Sequence, residues 1–399
     1  MLLVNQAALK SNIDYHIIVI LIVISFLKAL NDEVVNFASA TDLCQPIPGT
    51  NLEYCPELEE DIIECQKTYG KTITLSIGGA AYDEGGFSSE ERAINAADQV
   101  WTNFGPLTAD ATSRPFGEAV VDGFDFDFEV PTTNMIPFAD RLRSLMDQST
   151  ELGDKYYYLT AAPQCPYPDK QFGPLLDGTV RFDAIMVQFY NNFCGADTYL
   201  PGSATQQTFN FATWDNWAKS VSRNPDVKIM LGIPGGETGS KTGYVWGESL
   251  TSVIEYSATF SSFGGVMIWD MTELYNNTGF LDTVTAALYP VYADYLANSQ
   301  AELEEQMQFT YKPDPPKSDA SCVWTKTGAW IRLGRIDYPN RWLIRSGVTS
   351  NPKMHEVSAM DRSTYLECTD TESEGLERFH EFAIESTKSK ELFTWVNEN

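Results

Sequence analysis

Histidine is scarce in this chain: 399 residues contain three, His16, His355 and His380, and none is near the acidic segment described below. Ser-His-Asp and Cys-His catalysis and His-ligated metal sites are therefore poorly supported, and no cofactor is called for. Basic residues are also few. With 27 of them against 55 acidic ones, the formal charge of −28 works against nucleic acid, anionic membranes and polyanionic substrates, and is compatible with a neutral polymer. No C-x-x-C spacing occurs among Cys44, Cys55, Cys65, Cys165 and Cys194. Disulfides in an oxidising compartment are the better reading of these cysteines, with structural free thiols left open. The longest apolar run, around Ile17–Ile24, is too short for a comfortable membrane span and is followed by no small-residue cleavage site. It is read as a buried strand rather than a signal peptide.

What the sequence does have is the octapeptide Asp122-Gly123-Phe124-Asp125-Phe126-Asp127-Phe128-Glu129. Side chains alternate across an extended chain, so Asp125, Asp127 and Glu129 share one face at a spacing of about 6.6 Å, and the three phenylalanines share the other. Crowded carboxylates repel one another, so the cluster is expected to hold at least one proton near neutral pH. A protonated carboxylic acid at a strand end is what glycosidic bond cleavage requires, because the leaving oxygen departs poorly until it is protonated. An acidic solvent face on an amphipathic strand would show the same alternation. A calcium loop fits less well, since its sixth position is not Gly in any register.

From residue 57 to about 297, apolar β-type runs alternate with helix-period segments, the signature of parallel βα units. The strand candidates are Ile17–Leu27, Ile73–Ile77, Ala119–Glu129, Tyr157–Ala162, Ala184–Tyr190, Lys228–Ile233 and Gly264–Trp269. Helical periodicity falls at Pro56–Thr68, 88–104, around Phe138–Met146, and at 211–224, 249–260 and 279–297. Seven strands are one short of a (β/α)8 TIM barrel, and the shortage lies at the N-terminus. The expected domains are an α/β barrel over residues 1–298, an acidic helix and Pro-rich linker over 299–320, and a segment of unknown fold over 321–399. That last segment holds Trp324, Trp330, Trp342, Trp395, Cys322 and Cys368. Its tryptophans fit a sugar-binding surface, although in so small a segment they are more often core.

Barrel active sites are built at the C-terminal ends of the strands. Ser76-Ile77-Gly78-Gly79, Glu129, Gln188-Phe189-Tyr190-Asn191 and Trp269-Asp270 all fall there, so four strand ends converge on one mouth. With Leu159-Thr160-Ala161-Ala162-Pro163-Gln164-Cys165-Pro166 and Gly264-Gly265-Val266-Met267-Ile268-Trp269-Asp270 added, the motifs occur in the order seen in family 18 chitinases. Over about residues 10–290 the chain resembles the fungal and plant, class III type of that family.

The resemblance implies a retaining, substrate-assisted mechanism, an exception to the usual two-carboxylate scheme. Glu129 would be the general acid and then the base. Asp127 would orient the substrate acetamido group and stabilise the oxazolinium ion, and Asp125 would share a proton with Asp127. Asp122 would support the strand end. Tyr190 would hydrogen-bond the acetamido oxygen, Gln188 and Asn191 would line the same pocket, and Trp269 would form its apolar floor. Ser76, Gly78 and Gly79 would border the substrate. The resemblance also implies disulfides Cys44–Cys55 and Cys165–Cys194 and leaves Cys65 odd.

It further implies a monomer acting on chitin or chito-oligosaccharides in an extracellular or cell-wall setting. The sequon Asn276-Asn277-Thr278 agrees with secretion without establishing it. Family members begin with a strand ending in Tyr-Trp-Gly-Gln-Asn, to which nothing here corresponds. The expectation is an N-terminally truncated or misassembled chain whose barrel lacks one strand and exposes two edges. Competing readings are an endo-N-acetylglucosaminidase on N-glycans, a chitin-binding lectin or inhibitor, and a truncated inactive product. Lectin-like relatives usually lose the acid at Glu129 or its Asp127 partner, and here both are present.

Overall fold

In the computed structural model the backbone is described for residues 2–5, 19–108, 111–203, 205–290, 331–335, 342–345, 381–387 and 390–396. The chain divides into two units, Met1–Asp294 and Tyr295–Asn399. In the first, seven parallel strands neighbour one another in chain order. They are β2 (Val19–Ala29), β3 (Thr72–Gly78), β4 (Gly123–Asp127), β5 (Tyr158–Ala161), β6 (Ala184–Gln188), β7 (Lys228–Pro234) and β8 (Phe263–Trp269). Strands of this kind are covered on both faces, which is why their sequences read as near-continuous apolar runs. The registers set Ser25 opposite Ser76, Ser76 opposite Asp125 and Asp125 opposite Thr160. One polar layer therefore crosses four strands.

Among the described residues no parallel strand stands between β8 and β2, but the place is not empty. A short strand β1, Leu2–Asn5, runs antiparallel to both β8 and β2, with Leu2 opposite Ile268 and Ile22. The two edges are thus covered in part, over Gly265–Ile268 of β8 and Val19–Ile22 of β2. Backbone donors and acceptors left at a sheet edge favour any strand that can pair with them, in either direction. The two residues Val34–Val35 also pair with β2 from a hairpin.

Helices follow most strands. In α1 (Pro56–Lys67), proline opens the helix, Glu57 and Glu59 sit in its first turn and Lys67 in its last, all placements that suit the helix dipole. In α2 (Glu90–Phe104), the Ser89 hydroxyl caps the helix by accepting from the Arg92 N–H. The alanines Ala93, Ala96 and Ala97 line its buried face. α3 (Met135–Glu151) buries Phe138, Leu142 and Met146. α4 (Gly173–Leu176), α5 (Phe211–Ser220), α6 (Gly247–Ala258) and α7 (Met271–Asn276) complete the set, and residues 280–290 are also helical.

Two separate apolar regions result. The larger lies between strands and helices and takes in Ile73, Leu75, Ile77, Phe124, Phe126 and Phe128. Phe126 packs on Phe138 and Phe182, and Phe128 on Tyr82 and Phe172. The smaller gathers Leu21, Val23, Ala162, Ala184, Met186, Tyr190, Met230 and Met267, with Trp269 against it, from alternate positions of the strands. It is the barrel interior.

Three strands are shorter than expected: β4 spans Gly123–Asp127 rather than Ala119–Glu129, β5 Tyr158–Ala161 rather than Tyr157–Ala162, and β6 Ala184–Gln188 rather than Ala184–Tyr190. The Arg114 guanidinium donates to the carbonyls of Thr102, Gly117 and Ala119, which folds residues 114–119 into turns instead. In the second unit, Ile331–Arg335 pairs with Trp342–Arg345 and Glu381–Thr387 with Lys390–Val396, both antiparallel. The acidic helix at 300–308, the linker at 312–318, Trp324, Trp330, Cys322, Cys368 and the three histidines lie outside the described residues.

Candidate active site

Because β4 alternates, its inward side chains form a column that climbs the barrel, and each carboxyl meets a different environment. Asp122, just before the strand at the lower end, accepts from Gln66 Nε2 at 2.8 Å, Ile73 N at 2.8 Å and Lys155 Nζ at 2.6 Å. It ties β4 to β3 and α1. Asp125 is completely buried and accepts from the Ser76 and Thr160 hydroxyls at 2.6 and 2.7 Å. These are neutral donors, and burial pushes the Asp125 carboxyl above its usual range despite them.

Asp127, next up the column, is buried and accepts from Gln188 Nε2 at 2.9 Å, while that amide also donates to the Ala162 carbonyl. Burial first, then Glu129 and Asp125 as like charges, hold its carboxyl well above the ordinary value. Glu129 stands at the mouth, half-buried, with its carboxyl raised by burial and without a hydrogen-bond partner among the described residues. The Tyr190 side chain is buried in the barrel interior. Its hydroxyl is pushed well up by burial and then by the charges of Asp127, Glu129, Asp125 and Asp270. The tyrosine thus faces the acid column, and its hydroxyl makes no hydrogen bond among the described residues.

Trp269 closes another side of the mouth, its ring 5.9 Å from that of Phe26 between centroids, and the Trp269–Asp270 peptide is cis. The two glycines after β3 are required by close approach. Gly78 has φ +121° and a Cβ there would overlap the carbonyl oxygen of Asp127. Gly79 donates its N–H to that same oxygen at 2.7 Å, and a Cβ on it would stand 2.8 Å from the Phe26 ring. The pair therefore clamps the end of β4. Asn191 takes φ +56° and accepts the Lys241 N–H on its Oδ1 at 2.7 Å, so the side chain braces a loop at the mouth.

Sequence reasoning assigned no part to Thr160, Phe26 or the methionine floor Met186, Met230 and Met267. Thr160 stood inside a quoted motif, but only the cross-strand register puts its hydroxyl on Asp125. Among the described residues no group of three or more His, Cys, Asp or Glu is disposed to hold a metal ion. Both expected disulfides, Cys44–Cys55 and Cys165–Cys194, are present, and among the described residues Cys65 is unpaired.

A family model described as glycosyl hydrolases family 18 matches residues 18–244. The chain belongs to that family. It is 49% identical over 286 residues to a class III chitinase of Arthroderma benhamiae, a match that covers 71% of this chain and 86% of the relative. It is 50% identical over 267 residues to endochitinase 33 of Trichoderma harzianum, covering 66% and 81%. Among solved structures, the ICChI chitinase of Ipomoea carnea aligns with a TM-score of 0.54 at 26% identity, covering 67% of this chain and 90% of that one. In family 18 terms, the acid column of β4 runs up the interior of the barrel and ends at its open mouth.

Proposed function

We propose that this protein is an endo-acting chitinase that hydrolyses β-1,4 linkages between N-acetylglucosamine units, with Glu129 as its acid. The observation that carries the reading is the contrast between the free carboxyl of Glu129 at the mouth and the amide-tethered, buried carboxyl of Asp127 beneath it. Burial favours the protonated form of Glu129, so it has a proton to give to the glycosidic oxygen. As that C–O bond breaks, the carbonyl oxygen of the sugar's own acetamido group bonds to C1. Asp127, oriented by Gln188, holds the acetamido N–H and offsets the positive charge of the oxazolinium ion. Asp125 shares a proton with Asp127 through the column.

Tyr190 supplies a hydroxyl to the acetamido oxygen, and Trp269 presents a flat ring to the pyranose CH face. Glu129, now a carboxylate, takes a proton from the incoming water, whose oxygen bonds to C1 on the face the leaving group occupied as the bond from C1 to the acetamido oxygen breaks and the acetamido group is restored, so configuration is retained. Ser76, Gly78 and Gly79 act one step back, by placing Asp125 and the end of β4. A neutral polymer also suits a chain of charge −28.

The activity is assigned to residues 1–298, with 299–320 as linker and 321–399 as a separate segment. The enzyme acts as a monomer in an extracellular or cell-wall setting, and no helix among the described residues is long and apolar enough to cross a membrane. Digestion of chitopentaose followed by proton NMR of the first products tests the reading. It predicts internal cleavage with β-anomers at the new reducing ends. Initial α-anomers would contradict the mechanism, and absence of any cleavage would contradict the activity.

A further inference from the structure

Immediately after β6 the chain presents a large aromatic side chain to solvent from an unusually well-braced loop. Phe193 is 68% exposed, and among the described residues its ring stacks on no other. Its neighbours on both sides are fixed. Asn191 donates its N–H to the Thr242 carbonyl and accepts the Lys241 N–H. Asn192 Nδ2 donates to Gln164 Oε1 at 3.0 Å, Cys194 is bonded to Cys165, and the Gly195 N–H returns to the Asn192 carbonyl. Cys165 is held in turn, its carbonyl accepting from Asn210 Nδ2 and Trp214 Nε1.

An exposed phenylalanine gains nothing from such rigidity in the free protein, since its ring remains in water. Trp246, another exposed aromatic at this end, at least lies on Phe280 with ring centroids 6.0 Å apart. Rigidity does help a ring that receives a ligand, because less freedom is lost on binding. The position limits what that ligand is. Phe193 follows Tyr190 by three residues, a reach of at most about 10 Å, so it stands on the same strand end as the acetamido-binding hydroxyl and beside the mouth.

We propose that Phe193 is a stacking platform for a sugar unit beyond those flanking the scissile bond, and so sets the preference for long chains. The occupant is the β-1,4-linked N-acetylhexosamine polymer itself, whose pyranose rings offer apolar CH faces that pack on a flat aromatic. The proposal rests on the chitinase reading given above.

The test compares kcat/KM for chitohexaose with that for the shortest oligosaccharide cut, in the wild-type chain and in Phe193→Ala, Phe193→Tyr and Phe193→Trp. Thermal unfolding of each variant serves as the control on folding. The hexaose-to-short ratio is expected to fall about 3- to 10-fold in Phe193→Ala, mainly through KM, and to be kept in the aromatic variants. A ratio unchanged in Phe193→Ala, or lost equally in the aromatic variants, would overturn the proposal and leave the chitinase reading standing. A wild-type chain that cuts neither substrate would overturn the reading and the proposal with it.

Discussion

Asp122 and Glu129 flank opposite ends of β4 and have opposite surroundings. At the lower end, acids are compensated: Asp122 pairs with Lys155, Asp183 with Arg143 at 3.0 Å, and Asp183 also accepts the Leu159 N–H. At the upper end, Asp127 and Glu129 form no ion pair among the described residues, and Asp127 has one neutral amide donor. A paired carboxylate keeps its charge and holds strands in register. An unpaired buried one keeps its proton instead, which makes it useful for chemistry. The barrel thus separates acids that hold the fold from acids that are free to act, along a single strand.

The largest effect that would break this comparison is at its upper end. Glu129→Gln is expected to lower kcat/KM on a chito-oligosaccharide by about 10²- to 10⁴-fold. Its thermal midpoint should stay the same or rise, because a buried acid without a partner is replaced by a neutral group. Gly78→Ala comes next. A Cβ there meets the Asp127 carbonyl at a positive φ, so the end of β4 must move, costing about 3 kcal/mol or more in urea unfolding along with most of the activity.

Asp122→Ala should do the reverse of Glu129→Gln. It removes three hydrogen bonds at the lower end and destabilises by about 1–3 kcal/mol, while kcat/KM per folded molecule stays within about twofold.

Glu33 sharpens the comparison from a third direction. It accepts from Asn103 Nδ2 at 2.6 Å, its Oε1 is buried without a partner among the described residues, and burial pushes its carboxyl from 4.5 up to about 7. The folded state therefore binds more protons than the unfolded state between those values, and stability falls as pH rises through that window. Glu33→Gln should flatten this part of the stability–pH curve by of order 1–2 kcal/mol, read as the difference in urea midpoints at pH 4.5 and pH 8. Activity should not follow, because Glu33 lies on the hairpin after β2, outside the acid column. A raised pKa without the mouth and its partners does not make a catalyst.

The acid column was legible in the sequence because strand alternation has a period of two and needs no partner strand to be read. The helices around it were legible for a similar local reason, as with Pro56 and the acids that open α1. What was not legible depends on contacts across the chain. The Thr160 hydroxyl reaches Asp125 only once β4 and β5 are in register. The glycine pair was legible as a border of the substrate cleft, but what requires glycine there, the Asp127 carbonyl and the Phe26 ring, comes from other strands. Residues 119–121 are apolar enough for a strand, yet Arg114 folds the segment before them into turns. Leu2–Asn5 is too short to carry a periodic signal, and its antiparallel pairing with β2 and β8 comes from the gap between them.

The central claim is that burial without an ion-pair partner among the described residues raises the Glu129 carboxyl above its ordinary range and so favours the proton it gives. The pH dependence of kcat/KM for the wild-type chain on a fluorogenic chitotriose substrate tests it most directly. The account predicts activity through mildly acidic pH, with an alkaline limb whose apparent pKa lies above the ordinary 4.5 of a glutamate carboxyl. An alkaline limb centred at or below 4.5 would contradict it.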